Sequence, residues 1–96
     1  MPIREGILQA TDRVAEQLIR DILATHGKLS VQPATLKATD DLYQVGLSSL
    51  ATVNVMLEIE NRAGVVIPDE ALTRATFQTI TSLTALLQHL GDQGGA

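Results

Sequence analysis

Apolar residues recur every three or four positions in three separated stretches, a spacing that an α-helix gathers onto one face. In the first stretch they fall at Ile7, Leu8, Val14, Ala15, Leu18, Ile19, Ile22 and Leu23, predicting a helix from Ile3 to about Thr25 with Gly27 as its stop. The second stretch predicts a helix from Ser48 or Ser49 to Ala63, stopped by Gly64. The third predicts one from Ile80 to Leu90, with Thr79 as cap and Ile80, Leu83, Leu86, Leu87 and Leu90 facing inward. Between the last two, Pro68 forces Ile67 out of helical geometry, and Asp69 is placed to cap a short helix near Glu70 to Arg74.

Residues 28–47 keep no period, and Pro33 and Gly46 interrupt them. Yet Leu29, Val31, Leu36, Leu42 and Leu47 are too apolar for a free linker, so a packed loop is expected, with one short turn around Pro33 to Lys37. Tyr43 and Phe77 are the two aromatic residues, which leaves an aliphatic core suited to packed helices. The expected fold is all-α, a four-helix bundle with three longer helices, one short helix and a long loop between the first two. It forms one domain over residues 1–90, with a disordered tail over 91–96.

Composition narrows the function classes. Eleven acids against seven bases give a net charge of −4 with no Lys/Arg cluster, which disfavours nucleic acid. The chain has no cysteine, so disulfides, Cys-based metal sites and a protein-borne thiol are excluded. The N-terminal residues do not read as a signal peptide, and no apolar run reaches bilayer length, so a cytoplasmic, monomeric protein is expected.

The second helix is apolar on two sides. Val55, Met56, Ile59 and Ala63, preceded by Thr52, form a stripe that satisfies packing against the other helices. Leu50, Val53 and Leu57 form another on roughly the opposite side. Either the long loop covers this second stripe or it is a docking surface, and the docking surface is the favoured reading.

That surface begins beside a serine doublet. A serine oxygen accepts an unpaired amide hydrogen of a first helical turn, so Ser48 is the natural cap. Ser49 then takes the first helical position, with a free hydroxyl at the positive end of the helix dipole, where an attached anion is stabilised. Gly46, just before, lets an enzyme's backbone approach. These features permit a phosphodiester on Ser49 without requiring one.

The run "DDLYQVGLSSLATVNVMLEIENRAGVVIPDE" resembles the heart of the phosphopantetheine-dependent carrier proteins of the acyl carrier protein family. That family pattern is a Gly, a variable residue, usually Asp, the modified Ser and a Leu, then an amphipathic helix and an Ile-Pro-Asp/Glu turn. Gly46, Leu47, Ser48, Ser49 and Leu50 match its start, and Ile67, Pro68 and Asp69 match the turn. With the upstream helix and the "TFQTITSLTALLQHL" ending, the likeness covers nearly the whole chain. It implies a bundle of acyl carrier protein type, not an enzyme. It also implies that a phosphopantetheinyl transferase attaches 4'-phosphopantetheine from coenzyme A to Ser49, supplying the missing thiol. A Ser-His-Asp set drawing on His26 or His89 has no motif around it, and Asp40 and Asp41 read as solvated charges or a cap rather than a metal pair.

Where the family usually has Asp before the modified serine, this chain has Ser48. Where fatty-acid carriers have acids along the second helix, it has Ala51 and Asn54, keeping Glu60 beside Asn61. The run "DLYQVGLSSLATVNVMLEIE", with "LTRATFQTI" after the proline turn, is most similar to stand-alone aminoacyl carriers served by amino acid:carrier protein ligases, truncated homologues of class II aminoacyl-tRNA synthetases. That likeness implies a small amino acid such as glycine or alanine as cargo. Ser48, Leu50, Ala51, Val53, Asn54 and Leu57 would meet the partner, with Arg74 and Thr76 at the rim. Two alternatives stay open: an acyl carrier for fatty or polyketide-type chains, and a non-catalytic helical interaction module.

Overall fold

The computed structural model describes residues 13–94, with side chains as far as Leu90. Helix α1 covers residues 13–22 and widens into a π-turn over Leu23–Gly27. Helices α2 (Ser49–Ala63) and α3 (Ile80–Gly94) follow, and three single 3₁₀ turns, Pro33–Thr35, Leu42–Val45 and Asp69–Ala71, lie between the helices. No strand occurs among the described residues.

The expected fourth, short helix is therefore one 3₁₀ turn. It opens from Pro68 with no side-chain cap, and Asp69 sits inside its first turn rather than capping it. Thr73 then diverts the backbone. Its hydroxyl accepts from the Thr76 amide at 3.2 Å and lies 3.0 Å from the Thr76 hydroxyl, competing with further helical bonds.

α1 buries Ala15, Ile19, Ile22 and Leu23. Val14, expected inward, is 66% exposed because it lies one position, about 100° of helical rotation, from that row. Ile3, Ile7 and Leu8 lie outside the described residues. The stop also differs from expectation: the π-turn adds a residue, and the left-handed cap falls on Lys28 (φ 52°) instead of Gly27. Gly27 serves packing, since a Cβ there would meet Leu23 Cδ2 at 3.3 Å.

The loop after α1 is packed, as expected, and its bonds show how. Arg20 Nη1 donates to the carbonyls of Pro33 (2.6 Å) and Leu36 (2.9 Å), clasping the loop to α1. The amides of Leu42 and Thr81 donate to Gln78 and Ala38 carbonyls at 2.7 and 2.9 Å, fastening it to the start of α3. The Leu42–Val45 turn was not expected. Asp41 caps it, accepting from Tyr43 N at 2.9 Å, while Asp40 accepts from Lys37 N at 2.8 Å, so both acids serve turns.

The core is aliphatic: Ile19, Ile22, Leu42, Val55, Ile59, Ile80 and Leu83 are fully buried, joined by Phe77. No polar or charged residue is buried among those described. Each such side chain contributes about 1.5–3 kcal/mol by leaving water. At the start of α3, Thr79 Oγ1 accepts from Ser82 N at 2.9 Å and Ser82 Oγ accepts from Thr79 N at 3.2 Å, a reciprocal cap. α3 runs to Gly94, four residues past the expected end; the rest of the expected tail, 95–96, lies outside the described residues.

Candidate functional site: the start of α2 and its groove

The approach to α2 is fixed by Gly46, whose φ of 107° is left-handed. The 3₁₀ turn needs this residue as its end, so glycine here answers a backbone demand. Gly46→Ala is expected to lower stability by roughly 1–3 kcal/mol, read by denaturant unfolding. Leu47 then plugs into the core, and Ser48 turns extended (φ −95°, ψ 168°) to start the helix.

The two hydroxyls of the doublet are placed differently. Ser48 Oγ accepts from Ala51 N at 3.1 Å, and the Ser48 carbonyl accepts from Thr52 N at 2.9 Å and Thr52 Oγ1 at 2.8 Å. Ser48 is the cap. Ser49 is the first residue of α2; its side chain is exposed and forms no hydrogen bond among the described residues. It meets neither histidine: His26 Nε2 faces Glu58 at 3.7 Å, and His89 is exposed on α3. Among the described residues no base is set to activate this hydroxyl.

Beyond Ser49, α2 presents its second stripe to solvent. Leu50 is 71% exposed, Val53 47% and Leu57 52%, so the loop does not cover them. Asn54 lies half-buried between them. Ala51 is a correction: expected on this outward face, it is 2% exposed, because it falls in the i, i+4, i+8 row with Val55 and Ile59 that enters the core. Thr52 and Met56 lie at the edge of the core face, half-buried.

That edge borders a feature which no single stretch of sequence displays. Ser49, Thr52, Val53 and Met56 of α2, with Leu72, Thr73, Arg74 and Phe77 across from them and Tyr43 at one side, line an open groove of about 400 Å³. Both aromatic residues lie in its wall, which was the available signal. The Arg74 guanidinium carbon sits 3.9 Å from the Tyr43 ring centroid, and Tyr43 OH donates to the Arg74 carbonyl at 3.3 Å. Thr76 is not on the groove. Besides its bonds to Thr73, its carbonyl accepts from Ser82 Oγ at 2.8 Å, so it braces the start of α3.

The acids of α2 are already engaged. Glu58 accepts from Arg62 Nε, and this bond outweighs partial burial to hold its carboxyl below the ordinary range. Glu60 Oε2 accepts from Ile67 N at 2.8 Å, tying the end of α2 to the Ile-Pro-Asp turn. The outward residues of α2 nearest Ser49, Leu50, Val53, Asn54 and Leu57, carry no charge of their own.

Residues 17–90 match the family profile described as "Phosphopantetheine attachment site". This chain belongs to that family. Its members carry covalently attached 4'-phosphopantetheine, and the fold is a non-catalytic carrier domain. Among curated relatives, an aminoacyl carrier protein of Agrobacterium fabrum is 42% identical over 65 residues, spanning 68% of this chain and 78% of that protein. An acyl carrier protein of Rickettsia bellii is 34% identical over 68 residues, spanning 70% and 80%. Among solved structures, a chain from the crystal structure of an engineered Bradyrhizobium japonicum glycine:[carrier protein] ligase, complexed with carrier protein from Agrobacterium tumefaciens and ATP, is 36% identical. It superimposes with a TM-score of 0.75 over 78% of this chain and 97% of that one.

The carrier's own residues fit the family's cofactor. An exposed, unbonded hydroxyl stands at the amino end of a 15-residue helix, where a phosphodiester is stabilised, and a groove leads away from it. When bound, the arm supplies the thiol that holds cargo as a thioester; the protein supplies attachment, display and recognition.

Proposed function

We propose that this carrier holds a small amino acid, such as glycine or alanine, as a thioester on a 4'-phosphopantetheine arm attached to Ser49. A phosphopantetheinyl transferase installs the arm from coenzyme A, and a class II synthetase-like amino acid:carrier protein ligase charges it. One domain over residues 1–90, a monomer in the cytoplasm, does this work. The observation that carries the reading is the placement of Ser49: free and exposed, beside an uncharged apolar face formed by Leu50, Val53 and Leu57.

The surface supports this cargo over a long acyl chain. With Glu58 and Glu60 bound internally, the face offers little to a basic partner patch, while its three large aliphatics suit a partner of similar character. The groove is open rather than an enclosed tunnel, and a small amino acid needs no tunnel. The names of the Agrobacterium relative and of the ligase complex agree with this choice.

Incubation with coenzyme A and a phosphopantetheinyl transferase is expected to raise the intact mass by one phosphopantetheinyl unit. Absence of any gain with several transferases would instead favour a helical interaction module. The modified protein, offered separately to an amino acid:carrier protein ligase and to an acyl-ACP synthetase, is expected to be charged by the first. Charging only by the second would make it an acyl carrier. Val53→Asp is expected to keep its helicity while losing about 2 kcal/mol of ligase interaction, roughly thirtyfold in loading efficiency. Unchanged loading would remove this stripe from the interface.

A further inference from the structure

Arg74 is the charged residue in the wall of the groove that Ser49 also lines. The other arginines with described side-chain partners are committed elsewhere: Arg20 to Glu16 and the loop carbonyls, Arg62 to Glu58. Arg74 is exposed and has no carboxylate within ion-pair distance among the described residues. It is nonetheless held in place. Its guanidinium lies over Tyr43 at 3.9 Å, its carbonyl accepts from the Tyr43 hydroxyl at 3.3 Å, and the Tyr43 amide is fixed by Asp41 at 2.9 Å. A guanidinium held over a ring by cation–π attraction still has N–H groups to donate, and their fork matches two phosphate oxygens.

We propose that Arg74 pairs with the phosphodiester borne by Ser49, so that the arm leaves the helix along the groove instead of sweeping freely from its attachment point. The inference rests on Ser49 being the modified residue. It gives Arg74 a positioning role within the carrier, separate from any contact with a partner. The contact is with an exposed cation, so it weakens as salt rises.

The test uses the full chain converted to its holo form, with the arm first verified by intact mass. The phosphodiester ³¹P resonance of holo Arg74→Gln is expected to shift from that of the wild type. Holo Arg62→Gln, which removes the same charge elsewhere, should coincide with the wild type, and Arg74→Lys should fall between because it keeps the charge without the fork. Added salt should move the wild-type resonance toward the Arg74→Gln position. The unsubstituted protein gives an independent reading: the Arg74 side-chain Nε–H signal should move between apo and holo forms. An Nε–H signal unchanged on conversion, or ³¹P resonances that coincide in wild type and Arg74→Gln, overturns the pairing while leaving the carrier reading intact. A chain that gains no arm overturns both, and the mass shows this before any resonance is recorded.

Discussion

Ser49→Ala, incubated with coenzyme A and an active transferase, is expected to stay at its unmodified mass while folding as the wild type does. The substitution removes one oxygen that is exposed and makes no hydrogen bond among the described residues, and alanine is a strong helix former, so stability has no reason to fall. Ser48→Ala should behave in the opposite way. It removes the oxygen that accepts from Ala51 N and should cost about 1 kcal/mol of stability, yet still take up the arm. Measuring mass and unfolding midpoint for both variants separates attachment from capping. Mass gain by Ser49→Ala, or its loss only in Ser48→Ala, would move the attachment point to the neighbouring hydroxyl.

Ile59→Asp is expected to abolish the far-ultraviolet helical signal at 25 °C. Ile59 is fully buried, and no buried polar or charged residue is present among those described to receive a carboxylate. Leaving a charge there unpaired costs several kcal/mol, comparable with the whole stability of a small domain, about 5–15 kcal/mol. Ile59→Ala is a graded companion, expected to lose about 2–5 kcal/mol and remain foldable. The comparison with Val53→Asp makes the result specific: the same charge on the same helix should be tolerated on the outward face and not on the inward one. Wild-type helicity in Ile59→Asp would mean that α2 is not packed by this face.

What could be read before the structure was governed by local chemistry. Gly64 had to stop α2 because a left-handed residue is needed there, and its φ is 66°. Ser48, the earlier of the two serines, was the natural cap, and its Oγ accepts from Ala51 N. The division of Leu50, Val53 and Leu57 from Val55 and Ile59 followed from helical period alone. Long-range contacts decided the rest. Ala51 is the exception, since helical period already set it four residues before Val55 and eight before Ile59, in the row that enters the core. Arg20 reaches carbonyls 13 and 16 residues away, a clasp that no periodicity encodes. The groove needs residues 43, 49–56 and 72–77 together, and the failure of the short helix after Pro68, through Thr73 and Thr76, shapes one of its walls.

The pairing of Tyr43 with the groove has a practical consequence. The chain has one tyrosine and no tryptophan, so its intrinsic ultraviolet emission comes essentially from a single phenol lying under a guanidinium. The molecule thus contains its own label-free optical reporter, seated where occupancy of the groove would be sensed. A tryptophan-free background lets that one chromophore be followed in real time without grafting a dye onto the surface.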